Sequence, residues 1–269
     1  MTFRAVALAL VLAAPVGAEQ IDEDGLDSLP SAQVVILGEL HDNPFHHENQ
    51  ARAVAALEPA ALVFEMLTEA QAERVTPELR GDEAALEEAL GWADSGWPDF
   101  SMYYPIFTAA PDASVFGAAI PRDRLRQSIR EGTTEALGRD AARFGLDMPL
   151  PEAQQATREA MQMEAHCNAL PESLLPGMVL GQRMRDAALA RAALDALEAT
   201  GGPVALITGN GHARNDWGVP AKLALAQPLV TVLSLGQLEA PPGADGPPPY
   251  DLWLITDTPE REDPCAAFR

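Results

Sequence analysis

The sequence predicts an α/β protein: a mostly parallel central sheet covered by helices on both faces, with a helical insertion lobe. Short apolar runs of β type recur at Val34–Leu37, Ala61–Phe64, Ser114–Gly117, Val204–Thr208, Leu229–Leu235 and Leu252–Thr256. Helical patterns separate most of these runs, and strands that alternate with helices pair in parallel. The stretch from Arg122 to Ala199 holds no convincing strand. It reads as a helical insertion, about residues 122–199, packed over the carboxyl edge of the sheet.

Taken in order, the first residues read as an export signal. Arg4 supplies the positive charge, Ala5 to Ala14 the apolar core, and Val16-Gly17-Ala18 a small-residue cleavage site. The core is too short to span a bilayer, so cleavage after Ala18 is expected. No cysteine follows that point, so no lipid anchor is expected. Residues 19–269 then form a single α/β domain, placed in the periplasm or secreted. The first helix runs from His47 to Leu57, with Asn43 as its cap and Pro44 as its first residue. One of His46 and His47 should face solvent and the other pack. Helices at Ala84–Leu90, Pro151–Leu170 and Pro176–Ala199 follow, and Ala240–Pro249 is a surface loop before the last strand.

Acidic residues outnumber basic ones 40 to 18 in the 269 residues, giving a formal net charge of −22. Nucleic acids and anionic membrane surfaces select basic patches, so both are excluded as partners. An anionic ligand would need locally placed arginines. Two cysteines, Cys167 and Cys265, suit an oxidising compartment, where a disulfide could tie the C-terminal tail to the body.

Four of the five histidines lie just after two of the apolar runs. Gln33–Leu37 leads into Gly38-Glu39-Leu40-His41-Asp42-Asn43-Pro44-Phe45-His46-His47, and Pro203–Thr208 leads into Gly209-Asn210-Gly211-His212. In open α/β sheets ligands bind beyond the carboxyl ends of the strands, so the two segments predict one shared site. Glu39 and His41 are two apart and share a face if the chain stays extended. Glu65 ends the next strand, where a buried carboxylate needs a partner. Glu39, His41, Glu65 and His212 are thus candidates for a divalent metal site or for acid–base catalysis. The bland alternatives are Glu39 as a helix cap and Glu65 paired with an arginine.

Two further segments carry aromatic or soft side chains. Trp97 to Ile106 holds Tyr103 and Tyr104, two of the three tyrosines. These aromatics either cover a core edge or wall a porphyrin, whose iron a tyrosinate can ligate. Met163, His166 and Cys167 share a helix face, where core filling is the alternative to a cofactor contact. On the following helix, Gln182-Arg183-Met184-Arg185-Asp186 offers an arginine to a strand-end carboxylate or an anionic ligand.

Together these residues resemble the ChaN-like family of the haem-binding uptake and Tiki superfamily. The likeness rests on Gly38–Asn43 with His47 and Gln50, Phe64-Glu65-Met66, Trp97 with Tyr103 and Pro105, Gln182 with Arg185-Asp186, and Gly209–His212 running into Gly218-Val219-Pro220. It implies an exported haem-binding protein that serves haem or iron uptake or handling at the cell envelope. It also implies Tyr103 as iron ligand with Tyr104 as fallback and His166 as a third choice. Arg122, Arg124, Arg183 and Arg185 become the candidates for haem propionates. The resemblance allows homodimers that enclose haem between subunits. Relatives in the wider superfamily imply an alternative, a metal-dependent peptidase or esterase built on Glu39, His41, Glu65 and His212.

Overall fold

The computed structural model describes residues 17–243, 246–263 and 265–266. Most of the expected export signal, residues 1–16, lies outside the described residues. The strands are β1 (Glu19–Gln20), β2 (Val34–Glu39), β3 (Ala61–Phe64), β4 (Ser114–Gly117), β5 (Val204–Gly209), β6 (Val232–Leu238) and β7 (Leu252–Ile255). The α-helices are α1 (Pro44–Leu57), α2 (Glu69–Ala72), α3 (Pro77–Arg80), α4 (Glu83–Leu90), α5 (Phe100–Ala109), α6 (Arg122–Glu131), α7 (Glu152–Ala165), α8 (Leu175–Thr200), α9 (Asn210–Ala213) and α10 (Val219–Ala226).

All seven strands join one sheet in the order β1-β7-β6-β2-β5-β3-β4, and every pair is parallel. This is the α/β architecture that the sequence predicts. β2 and β5 lie adjacent at the centre, and all six residues of each are buried. A parallel strand covered on both faces reads as an unbroken apolar run, which is why these two were the clearest in the sequence.

Side chains of the central strands alternate between two layers. Val34, Ile36, Val63, Val204 and Leu206 pack with Met184, Ala187, Ala188 and Ala190 of α8. Val35, Leu37, Leu62, Phe64, Ala205 and Ile207 pack with Ala53 and Val54 of α1 and with Tyr103 and Phe107 of α5. Phe64 stacks on Phe107 with ring centroids 4.3 Å apart. Burial of each large apolar side chain contributes about 1.5–3 kcal/mol, and the alanines of α8 let its backbone lie close to the sheet.

The chain runs from β2 to β3, two places away, and β5 later fills the gap between them. From β5 it crosses to the other side of β2 to form β6. The strand order therefore reverses at β2 and β5, and the crevice beyond their carboxyl ends is where such sheets hold ligands. Between Arg122 and Thr200 the chain forms α6, α7, α8 and short 3-10 turns but no strand.

Some details differ from expectation. β6 starts at Val232, not Leu229, because Val34 pairs with Val232 and Leu229 is left 89% exposed. The aromatic segment is a helix, α5, although Pro105 lies inside it. Asp99 caps it by accepting from Ser101 N at 2.9 Å, which offsets part of the proline's cost. β1 has only two residues and pairs with the edge of β7, too short for any pattern to show. His46 and His47 are both fully buried, so neither faces solvent. Cys167, just beyond α7, is disulfide-bonded to Cys265 with their Cα atoms 5.4 Å apart.

Candidate functional site

Three strand ends build the site. Glu39 is the last residue of β2, Glu65 follows β3 and Gly209 ends β5, with His212 one short turn further on α9. Asn43 caps α1 through Phe45 N at 2.9 Å, and this turns the chain so that His41 folds back beside Glu39. His41 Nδ1 donates to Glu39 Oε1 at 2.6 Å.

Glu39 is buried among donors. Tyr103 donates its hydroxyl to Oε1 at 2.9 Å, and His47 Nδ1 lies 3.3 Å from Oε2. His47 is fixed by its other nitrogen, which donates to His41 O at 2.9 Å. The Glu39 Oε2 and His47 Nδ1 atoms approach without hydrogen-bond geometry and have no other partner. His46 accepts from Leu40 N at 2.7 Å and donates to Thr256 Oγ1 at 2.8 Å, so it is neutral. Burial pulls its pKa down to about 4.

A second network surrounds Glu65. Its Oε2 accepts from Thr208 Oγ1 at 2.7 Å and from Gly209 N at 2.9 Å, while Oε1 lies 3.4 Å from His212 Nε2. His212 Nδ1 donates to Asp186 Oδ1 of α8 at 2.6 Å. Burial works against the imidazolium, but Glu65 and Asp186 outweigh it and hold the ring protonated well above its ordinary range. Glu65 is correspondingly held ionised: burial opposes this, and His212, His41 and the Gly209 N–H prevail.

The two networks face each other across Gly209. A Cβ there would lie 2.9 Å from His41 Nε2 and 3.8 Å from Glu65 Oε2, so glycine is what lets the His41 ring sit against β5. Glu39, His41, Glu65 and His212 are thus brought into one crevice. His41 is the open member: its side chain is 35% exposed and Nε2 has no hydrogen-bond partner among the described residues. Its pKa is raised, because the bond to Glu39 and the Glu65 and Glu39 charges outweigh burial. Trp97 meets its ring edge-on with centroids 4.8 Å apart.

Two cavities meet at His41, Gln182 and His212. The first, about 290 Å³, is walled by Leu40, Met161, Val179 and Trp217, with Arg158 and Arg214 at its lining. The second, about 440 Å³, is more polar and includes Trp97, Gln71, Arg122 and Arg185.

The structure does not carry several expected roles. Tyr103 is fully buried, and its hydroxyl is spent on Glu39; burial also raises its pKa, which opposes the tyrosinate an iron ligand needs. Tyr104 donates to Arg80 O at 2.8 Å. His166 Nδ1 donates to Gln162 O at 2.8 Å beside the disulfide, and the residue lines neither cavity. Arg185 does line the polar cavity. No group of three or more His, Cys, Asp or Glu among the described residues is placed to hold a metal ion. Most of the carboxylate oxygens are already taken up by ring nitrogens, hydroxyls and a backbone amide, and Glu39 Oε2 is left without a hydrogen bond among the described residues.

The partner of a strand-end group on α8 is an acid, Asp186, where an arginine was expected. Arg183 instead donates to Gly145 O and Met148 O at 2.9 and 2.7 Å. Asp186 and His47 were in view only as parts of a motif. The signal available for Asp186 was a carboxylate within the apolar, alanine-rich face of a long helix, which needs a buried partner.

A family model described as haem-binding uptake, Tiki superfamily, ChaN matches residues 26–223. The chain belongs to this family. ChaN of Campylobacter jejuni, whose structure is described as showing cofacial haem binding, is similar in fold. The TM-score is 0.65 at 20% identity, over 86% of this chain and 90% of that one. The type III effector HopBA1 matches at 14% identity and a TM-score of 0.42, over 84% of this chain and 88% of that one. A succinoglycan biosynthesis protein matches at 11% and 0.44, over 80% and 67%. No curated protein is similar in sequence. No described helix is long and apolar enough to cross a membrane.

Proposed function

We propose that this chain binds haem in the crevice beyond β2, β5 and β3, with His41 Nε2 as iron ligand, and serves haem handling in the cell envelope. The observation that carries this is the His41–Glu39 pair. Nδ1 donates to a buried carboxylate at 2.6 Å, which fixes the ring and leaves Nε2 without a hydrogen-bond partner among the described residues. Carboxylate–histidine pairs orient metal-bound imidazoles in this way, and haem iron accepts histidine as an axial ligand. The apolar wall of Leu40, Met161, Val179 and Trp217 suits a porphyrin edge. Haem bound there would be cargo for transfer.

Family membership supports haem as the ligand, and the reported haem complex of ChaN from Campylobacter jejuni supports it further. Export is supported by the signal-like first 18 residues and by the Cys167–Cys265 disulfide, which suits an oxidising compartment.

The test is haemin titration read in the Soret band. The unmodified protein and Tyr103→Phe should give the same saturable shift, and His41→Ala should weaken it at least about tenfold or change its position. A shift lost in Tyr103→Phe and kept in His41→Ala would restore the tyrosine as ligand. A spectrum identical to free haemin at stoichiometric protein would end the haem reading.

A further inference from the structure

We infer that the apolar cavity contains an anion subsite built on Arg158, which takes the carboxylate end of a ligand with an apolar body. On the haem reading, on which this inference rests, that carboxylate is a propionate. Arg158 comes from α7 and is 7% exposed. A guanidinium carries five N–H donors. Here one hydrogen bond is made, from Nη2 to Trp217 O at 3.3 Å, and the buried Nε has no hydrogen-bond partner among the described residues. No carboxylate lies within ion-pair distance of Arg158 among the described residues.

The surroundings leave this charge without a direct carboxylate partner among the described residues. Arg183 and Lys222 are also buried, and both donate to backbone carbonyls: Arg183 to Gly145 and Met148, Lys222 to Phe144 at 3.0 Å. The buried acid nearby, Asp186, is engaged by the protonated His212. Arg214 lies on the same tryptophan as Arg158, with its guanidinium 4.0 Å from the Trp217 ring centroid against 4.9 Å for Arg158. The Arg214 fork, however, is filled by Asp216 at 2.9 and 2.6 Å. Arg158 is therefore a buried cation over the Trp217 ring, and it lines the cavity walled by Leu40, Met161 and Val179. Burial lowers its pKa; the Asp186 and Asp216 charges oppose this and the Arg183 and Arg214 charges add to it. An incoming carboxylate would relieve this, since a charge-assisted pair offsets the desolvation of both partners.

None of the arginines expected to meet propionates lines the apolar cavity. Arg183 is spent on loop carbonyls, Arg122 donates to Ser95 O and Arg124 to Ala136 O. Arg185 lines the second cavity.

The test uses metal-free protoporphyrin IX and its dimethyl ester, titrated against the full chain and followed by tryptophan quenching. The free acid should bind at least about tenfold tighter than the ester, and Arg158→Met should erase that difference. Arg158→Lys should keep part of it. Equal affinities for acid and ester in the unmodified protein would overturn the subsite, and so would full discrimination in folded Arg158→Met. If Arg158→Met does not fold, the acid–ester comparison in the unmodified protein decides alone. The haem reading fails separately. A His41-dependent Soret shift without acid–ester discrimination sinks the subsite only. Discrimination without any Soret shift sinks the iron ligand only.

Discussion

The Asp186–His212–Glu65 chain places one imidazolium between two carboxylates, all buried, so the stability of the protein should follow pH through it. His212 has a folded pKa raised to about 10 from 6.5, so its contribution is full below about pH 6.5 and fades as pH rises towards 10. Glu65 has a lowered folded pKa, so its contribution is full above about pH 4.5 and is lost as pH falls below that. Both act together between about pH 5 and 6.5. Replacing His212 by Gln strands two buried carboxylates and should cost about 3–5 kcal/mol in that window. The gap between the variant and the unmodified protein should narrow as pH approaches 10, where His212 is itself losing its proton. Denaturant midpoints at pH 6 and 10 measure this, and a gap that widens with pH would contradict the pairing. Gly209→Ala probes the facing side. Its Cβ would press on the His41 ring, so haemin affinity should fall with little loss of fold stability.

At the scale of elements, legibility followed burial. β2, β3 and β5 were visible as apolar runs because they are covered on both faces, and their ends named the crevice before any geometry was known. The capped start of α1 was visible through Asn43 and Pro44. What could not be read were contacts between distant elements: Asp186 from α8 on His212, and Tyr103 from α5 on Glu39. Residue types at one strand end do not say which helix passes over it. The aromatic α5 segment illustrates the limit: its residue types favoured core cover, the family likeness made its tyrosines candidate iron ligands, and Tyr103 packs in the core. The disulfide is an element-scale tie. It fixes the end of α7, whose Arg158 and Met161 line the apolar cavity, to a tail that also reaches the His41 turn through the Arg261–Asp42 pair at 3.1 Å. Cys265→Ser should lower unfolding free energy by about 2–4 kcal/mol. Native protein without reductant should show no alkylatable thiol. Finding both thiols alkylatable would remove the tie.

For the whole molecule, charge and shape pull a ligand in opposite directions. The chain carries a formal net charge of −22, yet its crevice is bordered by Arg158, Arg185 and Arg214. A haem propionate approaching from solvent meets repulsion from the whole surface and attraction only at close range. The Debye length falls from about 30 Å at 0.01 M salt to about 10 Å at 0.1 M, so salt removes the long-range field well before it weakens a partly buried pair. Association of haemin should therefore become several-fold faster between those salt concentrations, while dissociation changes little. Stopped-flow traces of the Soret shift measure both rates. The reverse result, association that slows with salt, would mean that the arginines around the crevice project a positive field beyond it and steer the ligand themselves. In that case Arg158→Met should reduce the slowing, because it removes a crevice cation that no carboxylate among the described residues pairs.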